Sequence, residues 1–248
     1  MTSQLWGEDV ASGYDEATAA MFDPAAVTPA VDFLAALARP ADAGAPGRAL
    51  EFAVGTGRLA LPLSERGVSV AGIDTSEAML GRLRAKPGAD RLTVVTGDMS
   101  ADRVEGEFDL VYLVFNTISN LLTQKAQVAC FRNAARHLRP GGHFVIELEV
   151  PDLRRFPIGA VAVPFAVGDE HVGFDTFDLV NQRLTSHHYR ITEGRAAVFH
   201  SEHRFAWPAE LDLMAELAGL RGTERWADWT RAEFTADSRS HVSVWAKG

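Results

Sequence analysis

The sequence predicts an α/β fold: a mostly parallel β-sheet preceded by a helical segment and interrupted late by an antiparallel β insertion. Between residues 48 and 150, short apolar runs alternate with amphipathic helical patterns, which is typical of a parallel sheet covered by helices on both faces. Over residues 160–207 the pattern changes to β-like runs separated by polar turns. That change indicates an antiparallel meander inserted into the α/β frame.

The elements follow in order along the chain. Residues 24–38 carry apolar side chains at helical spacing, and a Pro- and Gly-rich linker follows at 40–47. Strands are predicted at 49–54, 68–73, 92–97, 108–115 and 143–150, and helices at 58–66, 76–85 and 123–138. After the meander, a helix is predicted at 209–220 and strands at 224–229 and 240–247.

Two local signals fix element ends. Ser76 stands where the N-cap of the 76–85 helix is needed. In the RPGG run, Pro140 and Gly141 suit the central positions of a type II turn that returns the chain to the sheet.

Composition narrows the class of protein. The chain has 248 residues, of which 24 are basic and 33 acidic, for a formal net charge of −9. A polyanion-binding protein usually has the opposite balance, so we expect no nucleic-acid partner. The single cysteine permits no internal disulfide, the N-terminus lacks a signal-peptide pattern, and no apolar run reaches the ~20 residues of a membrane span. We therefore expect a cytoplasmic protein without a membrane segment.

Residues 50–63, LEFAVGTGRLALPL, place a glycine loop between a strand and a helix. No lysine follows the glycines, which excludes a P-loop. Gly55-Thr56-Gly57-Arg58-Leu59-Ala60 matches the dinucleotide pattern G-x-G-x-x-A, and the loop also approaches the (E/D)-x-G-x-G-x-G pattern of S-adenosylmethionine sites. A carboxylate at Glu51 would repel a pyrophosphate but suits a ligand that carries an ammonium and a sulfonium group.

Two further acids stand at the ends of the next strands. Asp74 ends the second strand, where a carboxylate accepts both hydroxyls of a ribose, or alternatively caps a helix. Asp98 and Met99 follow the third strand, where they suit an adenine amine and ring nitrogen. Since ligands of open α/β sheets bind at the carboxyl ends of the strands, these residues predict one nucleoside site.

Five ordered segments carry a family resemblance: LEFAVGTGR, VAGIDTSEAML, VVTGDMS, FDLVYLVFNTI and LRPGGHFVIE. Over residues 48–150 they resemble class I S-adenosylmethionine-dependent methyltransferases. The N-terminal segment WGEDVASGYDEATAAMF, residues 6–22, resembles the lincosamide-type N-methyltransferases of actinobacterial antibiotic pathways more closely than the amino-sugar type. The resemblance implies a Rossmann-like, mostly parallel seven-stranded sheet and S-adenosylmethionine as cofactor. One departure is Ala53 at the first glycine of the loop. We expect a strand-like Ala53 to tolerate its methyl group, with a slightly displaced loop.

The resemblance also implies the organisation of one methyltransferase domain over residues 1–248. Its parts are a helical cap at 1–40, a cofactor-binding half at 48–150, a β insertion or lid at 151–207, and a C-terminal helix and strand pair at 208–248. The insertion is expected to roof the acceptor pocket or to pair two copies of the chain through edge strands.

Cofactor contacts are expected from Tyr14, Glu51, Ala53, Gly55, Arg58, Asp74, Thr75, Met79, Asp98, Met99 and Val114. By resemblance, Asp74 binds the ribose, Asp98 with Met99 binds the adenine, and Gly55 lines the methionine part. Arg58 either reaches the methionyl carboxylate or is a solvated first-turn arginine.

The sequence indicates the residues that contact the methyl acceptor less specifically than those that contact the cofactor. Catalytic candidates are Tyr14, Asn116 and Asn120, and substrate-binding candidates are Trp6, Phe22, Phe115, Asn120 and Glu147. Amino-sugar enzymes carry a histidine where this chain has Asn120, which weakens the sugar assignment. The aromatic residues could instead pack the lead helix. No side chain of the 116–120 segment is a base at neutral pH, which favours an amine acceptor over a hydroxyl.

We therefore predict S-adenosylmethionine-dependent methyl transfer to a small-molecule amine in specialised metabolism. The alternatives are an O-methyltransferase, an NAD(P)-dependent oxidoreductase, and a catalytically silent protein that binds cofactor and acts as a partner. We predict no metal site, because His200 and His203 are three residues apart on a strand and no carboxylate framework completes a site.

Overall fold

The computed structural model describes residues 7–39, 45–151, 159–192 and 194–248. The strands of this part of the chain are β1 (Arg48–Phe52), β2 (Ser69–Asp74), β3 (Thr93–Thr96), β4 (Phe108–Leu113), β5 (Leu138–Glu149), β6 (Ala162–Val167), β7 (His171–Asp178), β8 (Arg183–Thr192), β9 (Arg195–Arg204), β10 (Leu220–Trp226) and β11 (Ser240–Lys247). The helices are α1 (Glu8–Ala11), α2 (Tyr14–Ala17), α3 (Pro24–Leu37), α4 (Ala60–Glu65), α5 (Glu77–Arg84), α6 (Gln124–His137) and α7 (Pro208–Leu217).

The main sheet has seven strands in the order β3-β2-β1-β4-β5-β11-β10. The first five are parallel, whereas β11 pairs antiparallel with β5 and β10 with β11. Every residue of β4 is buried because helices cover both faces of the sheet. One face packs Phe131 and Trp245 against the sheet, and the other packs Phe33 and Leu63. The predicted α/β fold with a mostly parallel seven-stranded sheet is confirmed.

The antiparallel insertion is confirmed as a separate four-stranded sheet in the order β6-β7-β8-β9. Long paired runs hold it together, with β8 and β9 in register from Arg183 opposite Arg204 to Thr192 opposite Arg195. Side chains alternate between the two faces of each strand. Asp175, Leu184 and His203 therefore share one face of the insertion, which lies toward the end of β5.

Element ends differ from the sequence prediction at several places. The helix predicted at 209–220 ends at Leu217, and the strand predicted at 224–229 runs from Leu220 to Trp226. The helix predicted at 58–66 begins only at Ala60, because the glycine loop continues through Leu59. The fifth strand begins at Leu138 instead of 143, and its pairing with β4 shifts register between these points. Gly141 has φ of 77° within this irregularity, the left-handed value that its place in a type II turn requires.

Local caps agree with the sequence. The Ser76 hydroxyl accepts a hydrogen bond from the Met79 amide at the start of α5, and Asp23 accepts one from Ala25 at the start of α3. Within the described part of the chain, no helix is both long and apolar enough to cross a membrane. The same residues contain no cluster of three or more metal-ligating side chains.

Candidate functional site

A cavity of about 250 Å³ lies at the carboxyl ends of the parallel strands. We call it the donor cavity. The residues that directly follow β1 and β3 contribute to its wall, as do the last residue of β2 and Phe115, two residues after β4. The wall consists of Tyr14, Ala53, Gly55, Ile73, Asp74, Thr75, Met79, Gly97, Asp98, Met99, Phe115, Asn116, Thr117, Asn120, Leu121 and His203. This is the edge where open α/β sheets bind ligands.

The glycine loop after β1 turns through left-handed backbone. Ala53 and Gly55 both have φ of 54°, and Gly57 has φ of 83°. The expectation that Ala53 is strand-like is therefore wrong. The loop keeps the left-handed turn of a glycine at this position, so the alanine carries backbone strain instead of displacing the loop.

Asp74 holds two parts of the site together. One carboxylate oxygen accepts the Gly55 amide and the other accepts the Ser76 amide, each at 2.8 Å. Burial raises the pKa of Asp74, although these hydrogen bonds oppose the rise. Since each oxygen has a further lone pair, the carboxylate can still accept two hydroxyls from the cavity side.

Glu51 lies beneath the cavity and does not line it. Its side chain is 3% exposed and accepts a hydrogen bond of 2.9 Å from the Tyr112 hydroxyl. Burial raises the pKa of Glu51 to about 8, and the positive charge of Arg58 works in the opposite direction. A carboxyl group with this pKa is mostly protonated at neutral pH, so Glu51 offers the cavity little negative charge. It also makes no direct contact with the cavity, contrary to the expectation that it touches the cofactor.

The loop after β3 is fixed by its own hydrogen bonds. An oxygen of Asp98 accepts both the amide and the hydroxyl of Ser100 at 2.7 Å. The Met99 carbonyl accepts the side-chain amide of Asn133 at 3.0 Å, and the Asp98 amide donates to Asp102. These contacts hold Asp98 and Met99 against the donor cavity.

The N-terminal helices are fastened to the glycine loop. Asp15 accepts the Thr56 hydroxyl at 2.6 Å and forms an ion pair with Lys86, which also donates to the Thr56 carbonyl at 2.8 Å. Tyr14, the preceding residue, lines the donor cavity, and burial raises the pKa of its phenol. The short α2 therefore closes over the loop through a fixed polar contact.

The turn after β4 is a second strained segment. Phe115 and Asn116 have φ of 54° and 57°, and a left-handed conformation is costly for a bulky side chain. Glu147 supports this turn: one oxygen accepts the Phe115 amide at 2.9 Å and the other accepts the Trp229 indole at 2.7 Å. The Asn116 side chain accepts the Glu149 amide at 2.7 Å. Glu147 thus positions the turn, which corrects the expectation that it binds substrate.

The structure brings together at the donor cavity most of the residues predicted from the sequence. These are Tyr14, Ala53, Gly55, Asp74, Thr75, Met79, Asp98, Met99, Phe115, Asn116 and Asn120.

The remaining candidates lie elsewhere. Val114, the first residue after β4, is buried in the core. Arg58 and Phe22 line a separate surface groove, where Lys86 lies over the Phe22 ring at 5.0 Å from its centroid. The expectation that Phe22 walls the acceptor pocket is therefore wrong. Trp6 lies outside the described residues.

A second cavity of about 580 Å³ adjoins the first and lies between the end of β5 and the inserted sheet. We call it the acceptor cavity. It shares Asn116 and His203 with the donor cavity. Its other lining residues are Ser119, Leu148, Glu149, Val150, Pro151, Val163, Asp175, Phe177, Leu184, Ser186, Phe205, Arg239 and Ser240.

Sequence reasoning missed His203 as a site residue. The histidines of the insertion were weighed only as metal ligands, and β9 is remote in sequence from the strand ends that carry the other site residues. The one available signal was the alternation of β9, which puts His203 on the opposite face from His200.

Comparison with known proteins identifies the family. Residues 49–142 match a family described as a methyltransferase domain. The structure of the CcbJ methyltransferase from Streptomyces caelestis superposes with a TM-score of 0.77 at 40% sequence identity, covering 89% of both chains. The chain belongs to the class I S-adenosylmethionine-dependent methyltransferases. Its cofactor is S-adenosylmethionine, and the alternatives of an NAD(P)-dependent oxidoreductase and of a silent binding partner are set aside.

Two further proteins are similar to this methyltransferase. The cypemycin N-terminal methyltransferase of a Streptomyces species is 29% identical over 200 residues, which is 79% of this chain and 81% of that protein. An amino pentose methyltransferase from Micromonospora echinaspora, solved with S-adenosylmethionine bound, shares the fold with a TM-score of 0.65 at 23% identity over 90% of each chain.

Proposed function

We propose that this methyltransferase methylates an amine of a small molecule in an antibiotic-related pathway. The observation that carries the proposal is the acceptor cavity. It adjoins the donor cavity at Asn116 and His203, and the carboxylates of Glu149 and Asp175 stand in its wall. Arg239 stands in the same wall, so the two carboxylates leave an excess of one negative charge beside the site of methyl transfer, which favours a cationic amine over an anionic acceptor.

The residues of the donor cavity are suited to hold the cofactor. We assign the free lone pairs of Asp74 to the ribose diol, Asp98 and the Met99 amide to the adenine, and the backbone at Gly55 to the methionine part. Only the Ala53 carbonyl, at 4.0 Å, would stand near a side chain at Gly55, so the loop leaves space on its cavity side.

When bound, S-adenosylmethionine supplies an electrophilic methyl carbon on a sulfonium. The chain then has to hold the acceptor in line with that carbon, and such positioning contributes up to ~7–11 kcal/mol to rate enhancement. Asn116, whose side chain accepts the Glu149 amide, stands where the two cavities meet. Asn120 lines the donor cavity close to that point. Tyr14 closes the donor cavity from the N-terminal side and excludes water from it.

The relatives agree with an amine acceptor. The cypemycin N-terminal methyltransferase is named for a peptide amine, and the Micromonospora enzyme for an amino sugar. The Micromonospora enzyme takes part in calicheamicin biosynthesis, which supports an antibiotic-related setting for this chain.

O-methylation is the second candidate, and one observation favours it. Residues 116–120 offer no base, which favoured an amine, but His203 stands at the junction of both cavities. A histidine there removes that part of the argument, because a hydroxyl acceptor needs a base. The carboxylates of the acceptor cavity remain the reason to prefer the amine.

The division of the chain follows from the same proposal. We assign residues 48–150 to cofactor binding and 151–207 to the roof of the acceptor cavity, since Asp175, Leu184 and His203 of the inserted sheet line that cavity. Pairing of two copies through the insertion stays a prediction.

The test is an acceptor comparison with S-adenosylmethionine labelled at the methyl group. The panel pairs each amine with its hydroxyl analogue: an N-demethylated amino sugar, a cyclic secondary amino-acid amide and a peptide with a free N-terminus. We expect label in N-methyl products, identified by mass spectrometry. Transfer only to the hydroxyl analogues would replace the amine assignment with O-methylation, and transfer to neither would reject both.

A further inference from the structure

His203 differs from the rest of the insertion in where its side chain lies. Among the described residues of the inserted sheet, it alone lines the donor cavity, and it also lines the acceptor cavity. It is opposite Leu184 in the β8–β9 pairing, and Leu184 faces the acceptor cavity as well. His203 therefore stands at the boundary that the methyl group has to cross.

We propose that His203 is a catalytic base that takes the proton which the acceptor nitrogen has to lose. This inference rests on the proposed function, because it assigns a role within the same site. An amine with an ordinary pKa is an ammonium at neutral pH and has no lone pair with which to attack. A neutral imidazole at the junction of the cavities supplies the missing proton acceptor.

The hydrogen bonds around His203 suit this role. Its Nε2 lies 2.9 Å from the Ser201 hydroxyl. With Nε2–H donating to Ser201, the Nδ1 lone pair is the one that accepts a proton. Ser201 is opposite Ser186, whose hydroxyl donates to Asp175 at 2.6 Å. A polar row therefore leads across the inner face of the insertion from His203 to a carboxylate.

Burial, and not the surrounding charges, favours the neutral form of the His203 imidazole. Burial lowers its pKa and nearby His188 lowers it further, while Asp175 and Glu202 raise it. From the main domain, Glu149 and Arg239 line the same cavity with opposite charges. The turn at Thr117–Asn120, which packs against β9, contributes no ionisable side chain.

Deprotonation of the ammonium and transfer of the methyl group together balance in protons and electrons. The N–H bond of the ammonium breaks, its proton goes to Nδ1 of His203, and the electron pair stays on nitrogen. That pair forms the N–C bond to the methyl carbon while the electrons of the S–C bond leave with sulfur. Asp175 stabilises the imidazolium, which then returns its proton to water through the acceptor cavity.

The kinetic test compares His203→Gln with His200→Gln on whichever panel amine the wild-type enzyme methylates. His200 is the matched control, because it lies on the outer face of the same strand and pairs with His187 there. For His203→Gln we expect kcat to fall about 10²-fold or more at pH 7, the range for a lost general base. The deficit should shrink as pH rises toward the pKa of the amine, with the KM for S-adenosylmethionine unchanged. A His203→Gln enzyme within twofold of wild type at pH 7, or with a deficit that does not change with pH, overturns the proposal.

A second measurement tests whether an amine reaches the His203 imidazole, even if no panel amine is methylated. Protein labelled at the histidine ring carbons is saturated with S-adenosylhomocysteine, and the His203 signal is assigned by its loss in His203→Gln. Titration with piperidine at constant pH should move this signal to saturation and leave that of His200 unchanged. A His203 signal that piperidine does not move overturns the inference. Movement without turnover of any amine rejects only the proposed acceptor class.

Discussion

Replacement of Asp74 tests the cofactor site most directly. Its two oxygens accept the Gly55 and Ser76 amides at 2.8 Å, and we assign their remaining lone pairs to the ribose diol. A hydrogen bond to a charged group contributes roughly 1.5–3 kcal/mol, so loss of the two ribose contacts costs about 3–6 kcal/mol. Asp74→Ala should therefore raise the Kd for S-adenosylhomocysteine on the order of 10²- to 10⁴-fold.

The same substitution also lowers stability, because two backbone amides lose their acceptor. The Gly55 amide borders the cavity, where water replaces part of the contact, so we expect a decrease of about 1–3 kcal/mol in the free energy of unfolding. Asp74→Asn keeps one accepting oxygen and the side-chain volume, and should fall between wild type and Asp74→Ala in both affinity and stability.

The assay is isothermal titration calorimetry with S-adenosylhomocysteine, accompanied by urea denaturation of each variant. Asp90→Ala is the control, since Asp90 is an exposed aspartate outside both cavities and its loss changes the net charge equally. A folded Asp74→Ala protein whose Kd stays within threefold of wild type would refute the ribose assignment.

Three further substitutions test other parts of the site. Ala53→Gly relieves a left-handed alanine, a strain of ~1–2 kcal/mol offset by ~0.5–1 kcal/mol of chain entropy. It should raise Tm by a few degrees, and an unchanged or lower Tm would argue against strain. Glu51 has its folded pKa raised from 4.5 to about 8, so the stability it contributes is complete below about 4.5 and is lost as pH rises through 8. Relative to wild type, Glu51→Gln should gain stability between pH 5 and 9, by a few kcal/mol in urea denaturation, and a constant difference across that range would contradict the shifted pKa. Glu147→Gln keeps one acceptor for the strained Phe115 turn but replaces the other with a donor. Turnover should fall about tenfold or more, with little change in S-adenosylhomocysteine affinity. An increase confined to the KM of the acceptor would instead indicate that Glu147 binds the substrate directly.

The sequence identified the donor cavity well, for a physical reason. Parallel strands end at one edge of their sheet, so residues that follow consecutive strands become neighbours whatever their distance along the chain. Asp74 and Asp98 both line the cavity, as that rule predicts. Helix α5 and its Ser76 cap could also be predicted from the sequence, because the cap is a contact between residues three positions apart in the chain.

Several features depended on contacts between distant residues. Glu147 accepts the Trp229 indole and the Phe115 amide, so its carboxylate supports the turn, and it lines neither cavity. The strain at Ala53 depends on the angle at which the glycine loop leaves β1, and no residue type in the loop reveals that angle.

The sequence alone therefore determined the α/β frame and the row of acids at the strand ends, since these follow from periodicity and from where strands stop. The cofactor class came from the resemblance of the strand-end motifs to a known family. Tertiary structure alone decided which face of the insertion turns inward. The folding of β9 over the sheet brings His203 to the same cavity as Asp74, and no pattern of residues within either segment specifies how two sheets pack against one another.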